Sequence, residues 1–490
     1  MNFKERQSGA LLHVTSLPNI QGIGTLGKEA FEFVDKLSRA DQKIWQICPL
    51  GPTGYGDSPY QTFSAFAGNP LLLDMNDLVQ KELLQLSDLE SLENLSQENV
   101  DYGRLFIEKN KLLKKAYYSF QKDADYDKFC QQNEFWLHEY ALFMAIKDHF
   151  GGKSWIDWPQ DVKLRSSLEM EKFSINLVDE IDYYKFLQFI FWQQWSRLHD
   201  YARQNGIEIF GDIPIFVALD SADAWSNRHL FLFDENGNPT FVAGVPPDYF
   251  SVTGQLWGNP LYNWQKMQEN DFAWWKQRFG HSLKMFDLIR VDHFRGFAGY
   301  WAVPFGEETA IKGSWQPALG EELFSVLNST YGSMPIVAED LGVITDDVIA
   351  LKEKFGFPGM KILQFAFGGG DDNPYLPQNY EENCAAYTGT HDNDTTLGWF
   401  QKLSEEQKKQ VCDYLSCREN EICKAMIEAI WQSKANIAVA PMQDWLELGN
   451  EARMNTPGKA AGNWQWRIKE EQFDEKLIES MRELTVEFER

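Results

Sequence analysis

The chain has 490 residues, 43% hydrophobic and 14% aromatic, enough to bury a large core and leave aromatic surface over. Its 72 acidic against 46 basic residues leave a net charge of −26, which repels phosphate backbones and anionic headgroups but is indifferent to a neutral substrate. Nucleic acid and membrane surfaces are thereby excluded as partners; with too short an apolar stretch near the start for a secretory signal and no run of roughly 18 apolar residues, a cytoplasmic protein is expected.

The first strand and its loop are read in GALLHVTSLP, an apolar run broken by Pro18. KIWQICPLGPTG repeats the plan, with apolar Ile44 to Leu50 stopped by Gly51, Pro52 and Gly54. From 75 to 205 apolar and polar positions cycle every three to four residues, so a mostly helical insertion is predicted between strands two and three, rejoining through its last helix. Strand character returns in IEIFGDIPIFV. A second insertion, 218–275, is rich in Gly, Pro, Asn and aromatics, and within it 248–260 is predicted to be an active-site loop, because loops of such length are usually functional. FDLIRVDHF, MPIVAEDL, MKILQFAF, CAAYTGTHDN and ANIAVAPMQDW supply strands four to eight, most joined by helix-like segments such as TDDVIALKEKFG and SEEQKKQVCDYLS. Eight strands alternating with helices predict one elaborated α/β domain over 1–490, a TIM-type (β/α)8 barrel with inserted subdomains. The six cysteines form no CxxC pair, and they read as inert thiols of a reducing compartment.

Asp292, Glu339 and Asp392 each stand where an apolar segment runs into a polar loop, and in a parallel barrel those strand ends converge on one pocket. Paired carboxylates facing a cleft can cleave a glycosidic bond, one attacking and the other donating a proton. Arg290 lies two residues before Asp292 and therefore on the same side of strand four. An arginine there favours the ionised form a nucleophile needs, although a structural ion pair in the barrel mouth would look the same. Glu339 follows Ile336-Val337-Ala338, so partial burial should keep it protonated as a general acid, while Asp340 points to the other side as a polar anchor. His391 and Asp392 end strand seven, where the carboxylate is suited to hold sugar hydroxyls and balance developing positive charge. Metal binding by this pair is the rival reading, but no further His or Cys motif supplies the remaining ligands. Asp212 ends strand three and reads as an organiser of the site. The 18 Trp exceed what a core needs, and aromatic planes can stack on the C–H faces of sugars.

GDIPIFVA, IRVDHFRGF, IVAEDLG and GTHDNDTT resemble the four barrel motifs of the amylase clan in the form used by the 4-alpha-glucanotransferases, also called amylomaltases or disproportionating enzymes, glycoside hydrolase family 77. The resemblance extends to LLHVTSLP, GPTGYGDSPYQTFSAFAGNP, PPDYFSVTGQLWGNPLY and NTPGKAAGNWQWR, nearly the whole chain. It implies Asp292 as nucleophile, Glu339 as acid/base and Asp392 as transition-state stabiliser. It further implies that Arg290, Asp212 and His391 hold the −1 sugar or its carboxylates, and that Tyr60, Asp248, Gln255, Trp257 and Asn463 contact the glucan. A barrel without the separate C-terminal β-domain of ordinary amylases is implied as well, with no cofactor and no metal. The reaction implied is retaining transfer of α-1,4-glucan segments to the 4-hydroxyl of glucose or another glucan, so that the partners are α-1,4-glucans, maltooligosaccharides and glucose. A hydrolase on the same substrate and a silent glycan-binding barrel remain the alternatives; three complete carboxylates argue against silence.

Overall fold

The computed structural model describes residues 5–247 and 251–490. Eight short strands form its centre: β1 (Gln7–Leu11), β2 (Ile44–Gln46), β3 (Glu208–Pro214), β4 (Leu288–Asp292), β5 (Ile336–Ala338), β6 (Gly359–Ile362), β7 (Cys384–Tyr387) and β8 (Ile437–Pro441). They are the eight segments the sequence marks out. All pair in parallel, in the order β6-β7-β8-β1-β2-β3-β4-β5. The Ala338 N–H donates to the Pro358 carbonyl at 2.8 Å, which joins β5 to β6 and closes a TIM-type barrel.

Side chains alternate along a strand, so every second residue faces the barrel axis. Leu11, Ile44, Phe210, Leu288, Val337, Met360, Tyr387 and Val439 make one buried apolar plug there. Two residues further along their strands the same inward register delivers Gln46, Asp212 and Arg290, all buried, and then Asp292 and Glu339 at the rim. The opposite register packs Ile209, Ile213, Ile289, Val291, Ile336 and Ala338 against the surrounding helices. Gly211 belongs to that outer register, where a Cβ would stand 2.3 Å from the Phe286 ring.

Between β2 and β3 lie the helices Tyr102–Ser119, Ala124–Gln132, Glu134–His149, Ser167–Asn176 and Val178–Gln204. The last has 27 residues, about 40 Å of helix at the usual rise. Its first half packs Phe186 and Phe189 on Phe120, and its second half meets the barrel, where the Trp195 indole N–H donates to the Met285 carbonyl at 3.2 Å.

A second sheet was not legible in the sequence. Phe241–Val245, Gln255–Pro260, Gly299–Pro304 and Ser314–Pro317 form four antiparallel strands over the C-terminal ends of β3 and β4. The stretch 248–260, expected to be a loop, is therefore an edge strand from Gln255 onward. Gly254 begins it with φ +68°, and a Cβ there would stand 2.3 Å from the Val245 carbonyl oxygen, so only glycine makes this turn.

Candidate active site

Register brings the first two carboxylates together. Val291 pairs with Ala338, and the Glu339 N–H donates to the Val291 carbonyl at 3.0 Å, so Asp292 and Glu339 stand level with each other on neighbouring strands. Arg290, one inward step below, joins them to β3. Its Nη1 donates to Asp212 Oδ2 at 2.6 Å, and its Nη2 lies 2.8 Å from Asp292 Oδ1. Burial works against the guanidinium charge, but Asp212 and Asp292 outweigh it and hold Arg290 well above its ordinary range. The Tyr60 hydroxyl donates to the same Asp212 oxygen at 2.8 Å. Burial raises the Asp212 carboxyl, with Arg290 opposing.

Asp212 Oδ1 is buried without a hydrogen-bond partner among the described residues. A buried acceptor left open beside a cleft is suited to a ligand hydroxyl. Tyr60 and Asp212 also line a cavity of ≈ 70 Å³ that runs on to Phe216 and Ser282.

Glu339 is set up differently. Burial pushes its carboxyl up to about 8, against the pull of Arg290 and with the Asp292 charge adding to the rise. Oε2 accepts the His293 N–H at 2.8 Å and Oε1 the Leu341 N–H at 3.2 Å, which fix the carboxyl plane. His293 reaches this position in the left-handed region, at φ 50°, directly after Asp292. Its imidazole, pushed down to about 4 by burial, is neutral and meets the Trp257 ring edge-on at 4.7 Å. Asp340 faces the other way, with Oδ2 bonded to Lys352 at 2.8 Å and Oδ1 to the Met360 N–H at 2.7 Å.

The third carboxylate lies across the mouth. His391 stacks on Tyr60 with ring centroids 5.1 Å apart, and both rings meet Trp464. Asp392 Oδ2 lies 3.5 Å from His391 Nε2, and its Oδ1 accepts from Asn455 Nδ2 at 2.6 Å. Tyr60, Asp212, Arg290, Asp292, Glu339, His391 and Asp392 thus share the C-terminal mouth of the barrel.

Trp257 is half-buried, and its indole N–H donates to the exposed Gln255 Oε1 at 3.1 Å. The Asn463 amide turns into its own loop, accepting from the Thr456 N–H and donating to the Lys459 carbonyl, both at 2.9 Å. Asp248, and Phe250 beside it, lie outside the described residues. Among the described residues no three His, Cys, Asp or Glu side chains converge to hold a metal ion, and the six cysteines are free. Sequence reading missed Arg453, Asn455 and Trp464, which reach the site only because the chain after β8 folds back over it.

Known proteins resemble this chain along its length. Residues 12–472 match the family model described as 4-alpha-glucanotransferase, glycoside hydrolase family 77. A 4-alpha-glucanotransferase of Clostridium butyricum is 49% identical over 97% of this chain and 99% of its own length. One of Thermus thermophilus is 46% identical over 94% of this chain and 95% of its own. Among solved structures, the amylomaltase of Streptococcus agalactiae in complex with acarbose superposes with a TM-score of 0.96 at 41% identity, covering 99% of this chain and 100% of that one.

Proposed function

The chain belongs to the 4-alpha-glucanotransferases of glycoside hydrolase family 77, and on that premise we propose that it moves α-1,4-glucan segments by double displacement. The observation that carries the reading is the Arg290 bridge to Asp212 and Asp292 beside a carboxyl held up to about 8. In the first half, Asp292 attacks the anomeric carbon, the bond to the departing 4-oxygen breaks, and Glu339 gives that oxygen its proton. Asp392, across the mouth, balances the positive charge that develops on the ring. The non-reducing fragment stays on Asp292 as an ester.

Forming the ester removes the Asp292 charge, one of the causes that raise Glu339, while Arg290 remains in place. Glu339 thereby becomes easier to keep ionised when it has to act as base. In the second half it takes the proton from an acceptor 4-hydroxyl, whose oxygen displaces Asp292 and restores the α configuration. Side chains supply every proton and electron pair, so neither cofactor nor metal is required. The reaction's partners are α-1,4-glucans, maltooligosaccharides and glucose, and a cytoplasmic location suits six unpaired cysteines.

Incubation with maltotriose tests the function. Transfer gives glucose and longer chains at constant total reducing ends; a net rise in reducing ends would mean hydrolysis, and no change a binding protein.

A further inference from the structure

The Asp392 side chain is 43% accessible, against 28% for Asp292, and it sits in a loop beyond β7 rather than within a strand. A carboxylate in that setting is free to turn about its own bonds, yet charge stabilisation requires it to face the sugar before the reaction begins. A segment after β8 restrains it. Asn455 Nδ2 donates to Asp392 Oδ1 at 2.6 Å, and the Asn455 N–H donates to the His391 carbonyl at 3.1 Å. Arg453 locks the same two strips of chain together, with Nη2 on the Asp392 carbonyl at 2.6 Å and Nε on the Asn455 carbonyl at 2.7 Å.

We propose that Asn455 is a positioning residue for transfer, orienting the Asp392 carboxylate through its side-chain amide while leaving the negative charge intact. The residue type matters to this argument. Arginine or lysine would orient the carboxylate equally well but would cancel the charge it is there to supply. An ionised acid would repel it. A neutral donor satisfies both requirements, and the backbone bond to His391 holds that donor in register with the Tyr60–His391 stack.

The inference rests on the reading of Asp392 as stabiliser, and the experiment separates the two. Asn455→Ala, Asn455→Asp and Asp392→Asn are compared with wild type for kcat and KM on maltotriose across pH, with thermal melting as the check on folding. Asn455→Ala should lower kcat about 10- to 100-fold with KM within about twofold, the scale of a misplaced catalytic group. In Asn455→Asp two carboxylates stand at hydrogen-bond distance and share a proton at low pH, which recreates a neutral donor. Its activity relative to wild type should therefore rise as pH falls from about 8 to about 5. A merely structural residue would give a ratio flat with pH. Should Asn455→Ala not fold, the isosteric Asn455→Asp profile decides alone. Wild-type kcat in Asn455→Ala, or a flat Asn455→Asp ratio, together with inactive Asp392→Asn, would overturn the positioning role only; an active Asp392→Asn would overturn the reading of Asp392 beneath it.

Discussion

Glu339 shows how one carboxyl is kept protonated without being strained. Its oxygens accept two backbone N–H bonds, which favour the ionised form, yet burial and the Asp292 charge win and leave it at about 8. Because that folded value lies above the ordinary 4.5, folding takes up a proton. The stability linked to it is complete below about 4.5 and fades as pH rises to about 8. Glutamine cannot titrate. The melting temperature of Glu339→Gln, measured against wild type by calorimetry, should thus improve steadily between about pH 5 and about pH 8, whatever constant offset the lost backbone bond imposes. A difference independent of pH would contradict the raised carboxyl. Asp212, Arg290, Asp292 and Glu339 were readable from sequence because a strand's two-residue period fixes which side chains face inward once the apolar run is found. Asn455 carried no such mark: it is one amide in NTPGKAAGNW, and its partner Asp392 lies 63 residues away.

At the scale of elements, the eight barrel strands were legible because buried parallel strands read as short apolar runs between loops and helices. The antiparallel sheet was not, for two physical reasons. Ser314–Pro317 is exposed at every position, so it has no apolar pattern to detect, and Gly299–Pro304 runs on almost directly from the β4 segment. Its register with Phe241–Val245 links residues about sixty positions apart. This sheet gives Trp257 a firm base, with its ring edge-on to His293 at 83°, one residue after Asp292. An acceptor competes with water at about 55 M, and fixed orientation is the means by which a dilute sugar prevails. Trp257→Ala should accordingly raise the ratio of hydrolysis to transfer on maltotriose about threefold or more, read as reducing ends against glucose, with little change in melting temperature because the ring is only half-buried. An unchanged ratio in a folded variant would make the aromatic a scaffold and place acceptor preference elsewhere.

Across the whole molecule the barrel divides its labour by pole. The groups proposed to react occupy the C-terminal mouth, while Asp287 at the N-terminal end is held by contacts that serve folding. There Asp287 accepts the Ile209 N–H at 2.8 Å and bonds His199 at 2.9 Å and Arg203 at 2.7 Å. Burial works against that carboxylate, but its His199 contact, the Ile209 N–H and Arg203 outweigh it and hold the carboxyl below its usual range. Asp287→Asn should cost about 2 kcal/mol in chemical denaturation at neutral pH and leave kcat on maltotriose unchanged. The wild-type advantage should fade as pH falls through the depressed value. A loss of kcat at full folding would show that the two poles are coupled.

If Asp292 carries the glucan while Glu339 manages the proton, the two roles can be separated by trapping the intermediate. Glu339→Gln is given an α-glucosyl fluoride, whose leaving group needs no proton, and the protein is digested for mass spectrometry. A glucosyl ester should accumulate on the peptide containing Asp292, and Asp292→Asn, added to the same variant, should abolish it. An adduct on another residue, or none while the fluoride is still consumed, would contradict it.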